Sequence, residues 1–230
     1  MPLAYTVFEV RENVSAEEIL EKLSKFSLMK GSLEVFGQKY SLGVRVTDLE
    51  SFEGGVSGKY EEVAPYTLPV NEETIKVPRV LRLGFHFTWV RGGIFLLVAS
   101  GKRKSLRVSS TLSEVIFGKP DFISPVYIPP QRLRELYSEG AEPRQVVFTG
   151  LREVAGVDTV ALYGKLLAQS SLLKRYMQVG QERYVVYRDE RGLFGVSAGG
   201  LIIAFSRIED EEFRSYIVER ILPKVEPVPI

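Results

Sequence analysis

The residues best suited to chemistry in this 230-residue chain are the cations of Lys102-Arg-Lys-Ser-Leu-Arg107. They follow an apolar run, Ile94–Ala99, which follows Gly92-Gly93 and, before that, a ten-residue alternation. In that alternation Leu81, Leu83, Phe85, Phe87 and Trp89 interleave with Arg82, Gly84, His86, Thr88 and Val90. Period two of this kind specifies a strand with one apolar face. The glycine pair supplies the positive φ of a tight hairpin turn.

With Gly92-Gly93 at the turn centre, Trp89 faces Leu96, Phe87 faces Val98 and Phe85 faces Ser100. On the other face Thr88 meets Leu97, His86 meets Ala99 and Arg82 meets Arg103. Two adjacent guanidinium groups repel unless an anion lies between them, and their forked donors match phosphate oxygens. His86 and Ser105 would add hydrogen bonds. Lys102, Lys104 and Arg107 would extend the positive surface, as would Lys174 and Arg175 on the outer side of a later helix. This pattern suits a nucleic-acid backbone, DNA or RNA, bound by a protein that performs no reaction. The competing reading is a solvated hairpin edge, where cations block edge-to-edge aggregation.

Two further function classes stay open. One is an assembly subunit that meets a protein partner or a second copy through the acidic N-terminal region or an exposed meander edge, without nucleic acid. The other is a metal-independent enzyme built around His86 and Arg82. His86 is the only histidine, and no orienting carboxylate lies near it in sequence. Cysteine is absent, which removes thiolate chemistry, disulfides and Cys-based zinc sites. Pro120-Asp121 opens a nuclease-like carboxylate pattern that no Glu-x-Lys or Asp-x-Lys completes. Neither glycine-rich phosphate motif occurs, so P-loop nucleotide hydrolysis is excluded. No cofactor is expected.

The elements that must position these residues read as α+β, mainly antiparallel sheets in two lobes with about five helices packed on them. Ser15-Ala-Glu-Glu18, Thr111-Leu-Ser-Glu114 and Ser206-Arg-Ile-Glu209 match the capping box. Helices are expected over 16–29, 111–117, 130–138, 165–178 and 207–222. Strands are expected at 5–10, 33–36, 40–46, 59–66, 145–149 and 159–163, with Ser51–Lys59 a loop. Arg183–Ser206 reads as a three-stranded meander. Glycine and proline between 118 and 130 place a lobe boundary there, giving lobes of 1–118 and 119–230. Gly92-Gly93 and Gly199-Gly200 each lead into an apolar strand, either a worn internal duplication or a cheap coincidence.

Thirty Lys and Arg against 29 Asp and Glu give a net charge of +1, but the chain is polarised. Residues 1–75 sum to −6, 76–190 to +8 and 191–230 to −1. Two Asn and six Gln against abundant Glu, Lys and Arg predict a thermophilic source. Val80–Ala99 is long enough to approach a membrane span, but Arg82, His86, Arg91 and the glycine pair make it a hairpin. With no leader pattern at the start, a cytoplasmic protein without membrane contact is expected.

Overall fold

The computed structural model describes residues 2–71, 73–138, 140–151 and 156–226; the tail with Pro227 and Pro229 lies outside them. The chain is α+β, and its strand pairings are antiparallel. It divides into two compact units. One comprises Val10–Ala99 and Ser105–Ser124; the other comprises the residues up to Glu9, Ser100–Lys104 and Pro125 onward.

In the first unit, helix α1 (Ala16–Ser24) precedes a five-stranded meander: β2 (Ser27–Val35), β3 (Gln38–Phe52), β4 (Gly55–Val70), β5 (Glu73–Val90) and β6 (Gly93–Val98), in that spatial order. Helix α2 (Lys102–Phe117) follows, with all but its first turn in this unit. Strand β1 (Leu3–Val10) comes before them all. Strand alternation gives the sheet two unlike faces. One buries Val44, Val56, Tyr60, Phe85, Phe87, Leu96 and Val98 together with Ile19 and Leu23 of α1 and Val108, Leu112 and Ile116 of α2. Each buried ring on it contributes about 2–3 kcal/mol by leaving water. Lys22 ties the two helices by donating to the Ile116 carbonyl at 2.6 Å. The other face carries Arg45, Lys59, Arg82 and Val80, all exposed.

The longer strands run on as two-stranded ribbons. Strands β3 and β4 pair from Gly43↔Val63 onward, so Gln38–Leu42 pair only with β2. Gly43 (φ +152°) and Gly31 (φ +129°), with a register shift at Met29/Gly31, mark where the β2–β3 ribbon departs. A β-carbon on Gly43 would lie 2.2 Å from the Leu28 carbonyl oxygen, so only glycine fits this bend. The β4–β5 ribbon extends from Ala64↔Arg79 to Val70↔Glu73. Within it Pro65 lies directly opposite Pro78. Neither has an N–H, so this is a non-hydrogen-bonded pair whose nitrogens point to the ribbon's outer edges.

In the second unit the order is β1, β12 (Leu201–Ala204), β11 (Gly192–Ser197), β10 (Gln181–Asp189), β8 (Glu142–Thr149), β9 (Thr159–Tyr163). Helices α3 (Pro130–Ser138), α4 (Ser171–Val179) and α5 (Asp210–Tyr216) belong to it as well, whereas strand β7 (Ile123–Pro125) has its first two residues in the first unit. Its core is aromatic: Phe194 stacks on Tyr216 at 4.0 Å between centroids, and Phe213 meets Tyr5 edge-on at 5.8 Å. The fully buried Glu182 is held by Arg134 at 2.8 Å. Among the described residues no helix is long and apolar enough to cross a membrane.

Several expectations need correction. The β5–β6 turn is centred on Arg91 (φ +52°) and Gly92 (φ +79°), while Gly93 is already a strand residue. Both turn residues are left-handed, as a type I′ hairpin requires. The register therefore moves by two: Trp89 faces Ile94, Phe87 faces Leu96, Phe85 faces Val98, Thr88 faces Phe95 and His86 faces Leu97. An even shift keeps every side chain on its expected face. Strand β6 ends at Val98, and Lys102–Arg107 is helical rather than a continuation of the strand. Helix α2 starts nine residues before Thr111, whose hydroxyl donates to the Arg107 carbonyl inside the helix instead of capping it. Ser206 likewise is no cap: its hydroxyl accepts from the Leu193 N–H at 2.8 Å, and α5 begins at Asp210. Helix α1 ends at Ser24 because Ser27 onward pairs with β3. Residues 51–59 form the β3–β4 hairpin, Phe52 opposite Gly55, in place of a loop.

The capping box at Ser15 forms in full: Ser15 accepts from the Glu18 N–H and Glu18 accepts from the Ser15 N–H at 3.0 Å. Ser15→Ala is expected to lower unfolding free energy by about 1 kcal/mol, with Ser15→Asp recovering most of it. Urea unfolding curves measure both.

Candidate polyanion groove on the open sheet face

The cross-strand neighbour of Arg82 is Glu61, not Arg103. Arg45 lies on the other side of Glu61, in register with it on β3. Arg82 Nε donates to Glu61 Oε2 at 2.5 Å, and Arg45 Nε donates to Oε1 at 2.7 Å, with Arg45 Nη2 on the same oxygen. Two guanidinium groups do stand on either side of one anion, and the anion is the protein's own carboxylate. The pairing of Arg82 with Arg103 fails because the chain leaves the sheet before Arg103 and enters α2.

The burial of this bridge is lopsided, as it is at Arg107–Glu62 on the other face, but here one carboxylate serves two cations. Glu61's side chain is only 6% exposed, whereas those of Arg45 and Arg82 are 57% and 69% exposed. The carboxylate is thus hidden under two partners that themselves stay exposed. The Arg82 hydrogen bond, aided by Arg45, holds its pKa below the usual carboxylate range, against the upward pull of burial. One carboxylate neutralises one of the two guanidinium charges. Each guanidinium carries five N–H donors, and the carboxylate takes one from Arg82 and two from Arg45.

This bridge forms part of a groove of about 360 Å³. Where the β2–β3 ribbon bends away at Gly43, Lys39, Tyr40 and Ser41 make one wall; Val63, Val80 and Arg82 make the other. Lys39, Arg45 and Arg82 against Glu61 leave the groove at net +2, while Met29, Val44, Val63 and Val80 give it an apolar lining.

The remaining expected site residues are distributed as follows. His86 is half-buried, two positions along β5 from Arg82 on the same face, in register with Ser57 and Leu97. Arg107 is on the opposite, helix-covered face, where its Nη2 binds the buried Glu62. It is a structural clamp between α2 and β4. Lys102, Arg103 and Lys104 are exposed in the first turn of α2, in the second unit. The Lys102 ammonium lies over Gly199, 3.2 Å from where a β-carbon would stand. Lys174 and Arg175 are exposed on α4. Among the described residues none of these five joins an ion pair, and no group of three His, Asp or Glu side chains is placed to hold a metal ion.

Arg45, Glu61 and Lys39 are the residues the one-dimensional pattern did not bring out. A signal existed in Glu61-Glu62: adjacent strand residues point to opposite faces, so each buried carboxylate demands its own cation. The sequence matches no protein-family model and no curated protein.

The Glu61 bridge has a defined pH signature. A carboxyl whose folded pKa lies below its unfolded value stabilises the fold fully above the unfolded value, and that contribution disappears as pH falls through the folded one. Glu61→Gln is expected to lower stability by about 2 kcal/mol at neutral pH. The gap between variant and wild type should close as pH falls well below the ordinary carboxylate value of about 4.3. Thermal unfolding across pH checks both statements.

Proposed function

We propose that this chain is a non-enzymatic nucleic-acid-binding protein that seats backbone phosphates in the groove beside Arg45 and Arg82. The observation that carries the reading is the buried Glu61 carboxylate shared by two exposed guanidinium groups on an open face. An arginine on a flexible stem loses side-chain entropy, up to about 2 kcal/mol, when it grips a phosphate. Here both Nε atoms are already held, so part of that loss is incurred on folding. The remaining fork donors suit phosphate oxygens, and Lys39 adds a third positive charge.

A second feature supports the same reading. Lys102, Arg103 and Lys104 occupy the first turn of α2, with no acidic residue among them. The positive end of the helix dipole disfavours cations there by about 0.3–1 kcal/mol each. A bound polyanion reverses that sign. Lys174 and Arg175 are further exposed cations, on α4.

Nucleic-acid affinity should fall linearly with salt on logarithmic axes. Arg45→Ala and Arg82→Ala are each expected to weaken binding and reduce the slope by about 1. Arg107→Ala, on the covered face, should leave the slope unchanged. Fluorescence anisotropy with labelled oligonucleotides measures these slopes. Failure of the wild-type chain to bind any oligonucleotide at about 50 mM salt removes the reading.

A further inference from the structure

The tip of the β2–β3 ribbon carries the least economical residue in the first unit. Phe36 is 94% exposed. It also has φ +50°, as the first central residue of the Phe36-Gly37 turn that closes Val35↔Gln38. That position favours Asn, Asp or Gly. A left-handed conformation is sterically unfavourable for an ordinary residue. Leaving a phenylalanine in water also forfeits the free energy of burying its ring. Neither cost is offset within the fold, because a side chain this exposed packs on little. The other ribbon keeps its nearby aromatic occupied: Arg79 stands 5.4 Å over the Tyr66 ring.

Phe36 belongs to the same ribbon as the groove wall. Lys39 and Tyr40 line the groove, and the tip is three to four residues further, roughly 10–13 Å along an extended strand. A cationic track followed by a bare aromatic ring is the combination that holds single strands, whose unpaired bases offer open π-faces. A duplex buries those faces in its own stack. We infer that the ligand is a single-stranded nucleic acid, with phosphates at Lys39, Arg45 and Arg82 and a base stacked on Phe36. This rests on the phosphate-binding reading of the groove and adds the kind of strand and the contact that selects it.

The test compares Phe36→Ala, Phe36→Leu, Phe36→Trp and Phe36→Asn for binding to single-stranded and duplex oligonucleotides and to anionic phospholipid vesicles. Stacking contributes about five- to hundredfold per base, so the Ala variant should lose about tenfold in single-strand affinity, with its salt slope unchanged. Leu should lose nearly as much, because it is apolar without a π-face; Trp should retain or exceed wild-type binding. Asn should be at least as stable as wild type in thermal unfolding yet bind as poorly as Ala, which separates the ligand contact from a fold defect. Duplex affinity should be weaker than single-strand affinity and unmoved by these changes. Leu binding as well as Phe, tighter binding to duplex, or vesicle binding that depends on Phe36 would each overturn the inference. If Phe36 variants bind normally while Arg45→Ala and Arg82→Ala weaken binding, the groove reading stands and the stacking contact is wrong. If the wild-type chain binds no oligonucleotide, both fall together.

Discussion

Two adjacent carboxylates on one strand organise the first unit. Glu61 and Glu62 are both almost out of water, and strand alternation sends them to opposite faces of the sheet. An unpaired buried carboxylate costs several kcal/mol, so each face must supply a cation. On the covered face Arg107 does so, which fixes the rotation of α2 on β4. On the open face Arg45 and Arg82 do so from the two flanking strands, which ties β3, β4 and β5 into one register. The same requirement that fixes the fold on one side leaves a charged, half-satisfied surface on the other.

That difference explains why one arginine is structural and the others are available. Arg107 bridges helix and strand, and loss of it strands Glu62 beside a helix. Arg45 and Arg82 outnumber their single carboxylate, whereas Arg107, exposed to the same degree as Arg45, has Glu62 to itself. Of the apolar residues exposed on the unit, Phe36 lies on the β2–β3 ribbon and Tyr66 and Val70 on the β4–β5 ribbon, while Leu28, Met29 and Val80 lie where the ribbons begin. Charge and apolar surface therefore meet at the ribbons' base, and an exposed ring stands at one tip.

Local signals were legible in the sequence and long-range ones were not. Alternation over Leu81–Val90 identified the core face of β5, since Phe85 and Phe87 are fully buried. Ser15 and Glu18 form their box, and α3 spans Pro130–Ser138 as its proline start and leucine spacing indicate. Thr111 and Ser206 carry the same four-residue motif without the same outcome, because a capping box needs a chain that is not already helical or already paired at that point. The Gly92-Gly93 pair suggested the wrong turn centre because Arg91 accepts a left-handed φ that sequence preference assigns to glycine. The candidate site was half legible. Arg82 and the need for an anion beside it followed from alternation and Coulomb repulsion. Arg45 and Glu61 became visible only once β3 and β4 were laid beside β5.

The proline pair on the β4–β5 ribbon has one more consequence. A two-stranded arm with bare margins is an invitation to add a third strand from a neighbouring molecule, and then a fourth. Pro65 and Pro78 take the donors off both margins at the same level, so an incoming backbone finds gaps on whichever side it tries. The gaps oppose edge-to-edge association of the arm. Docking through side chains is thereby favoured over addition of a strand to its ladder.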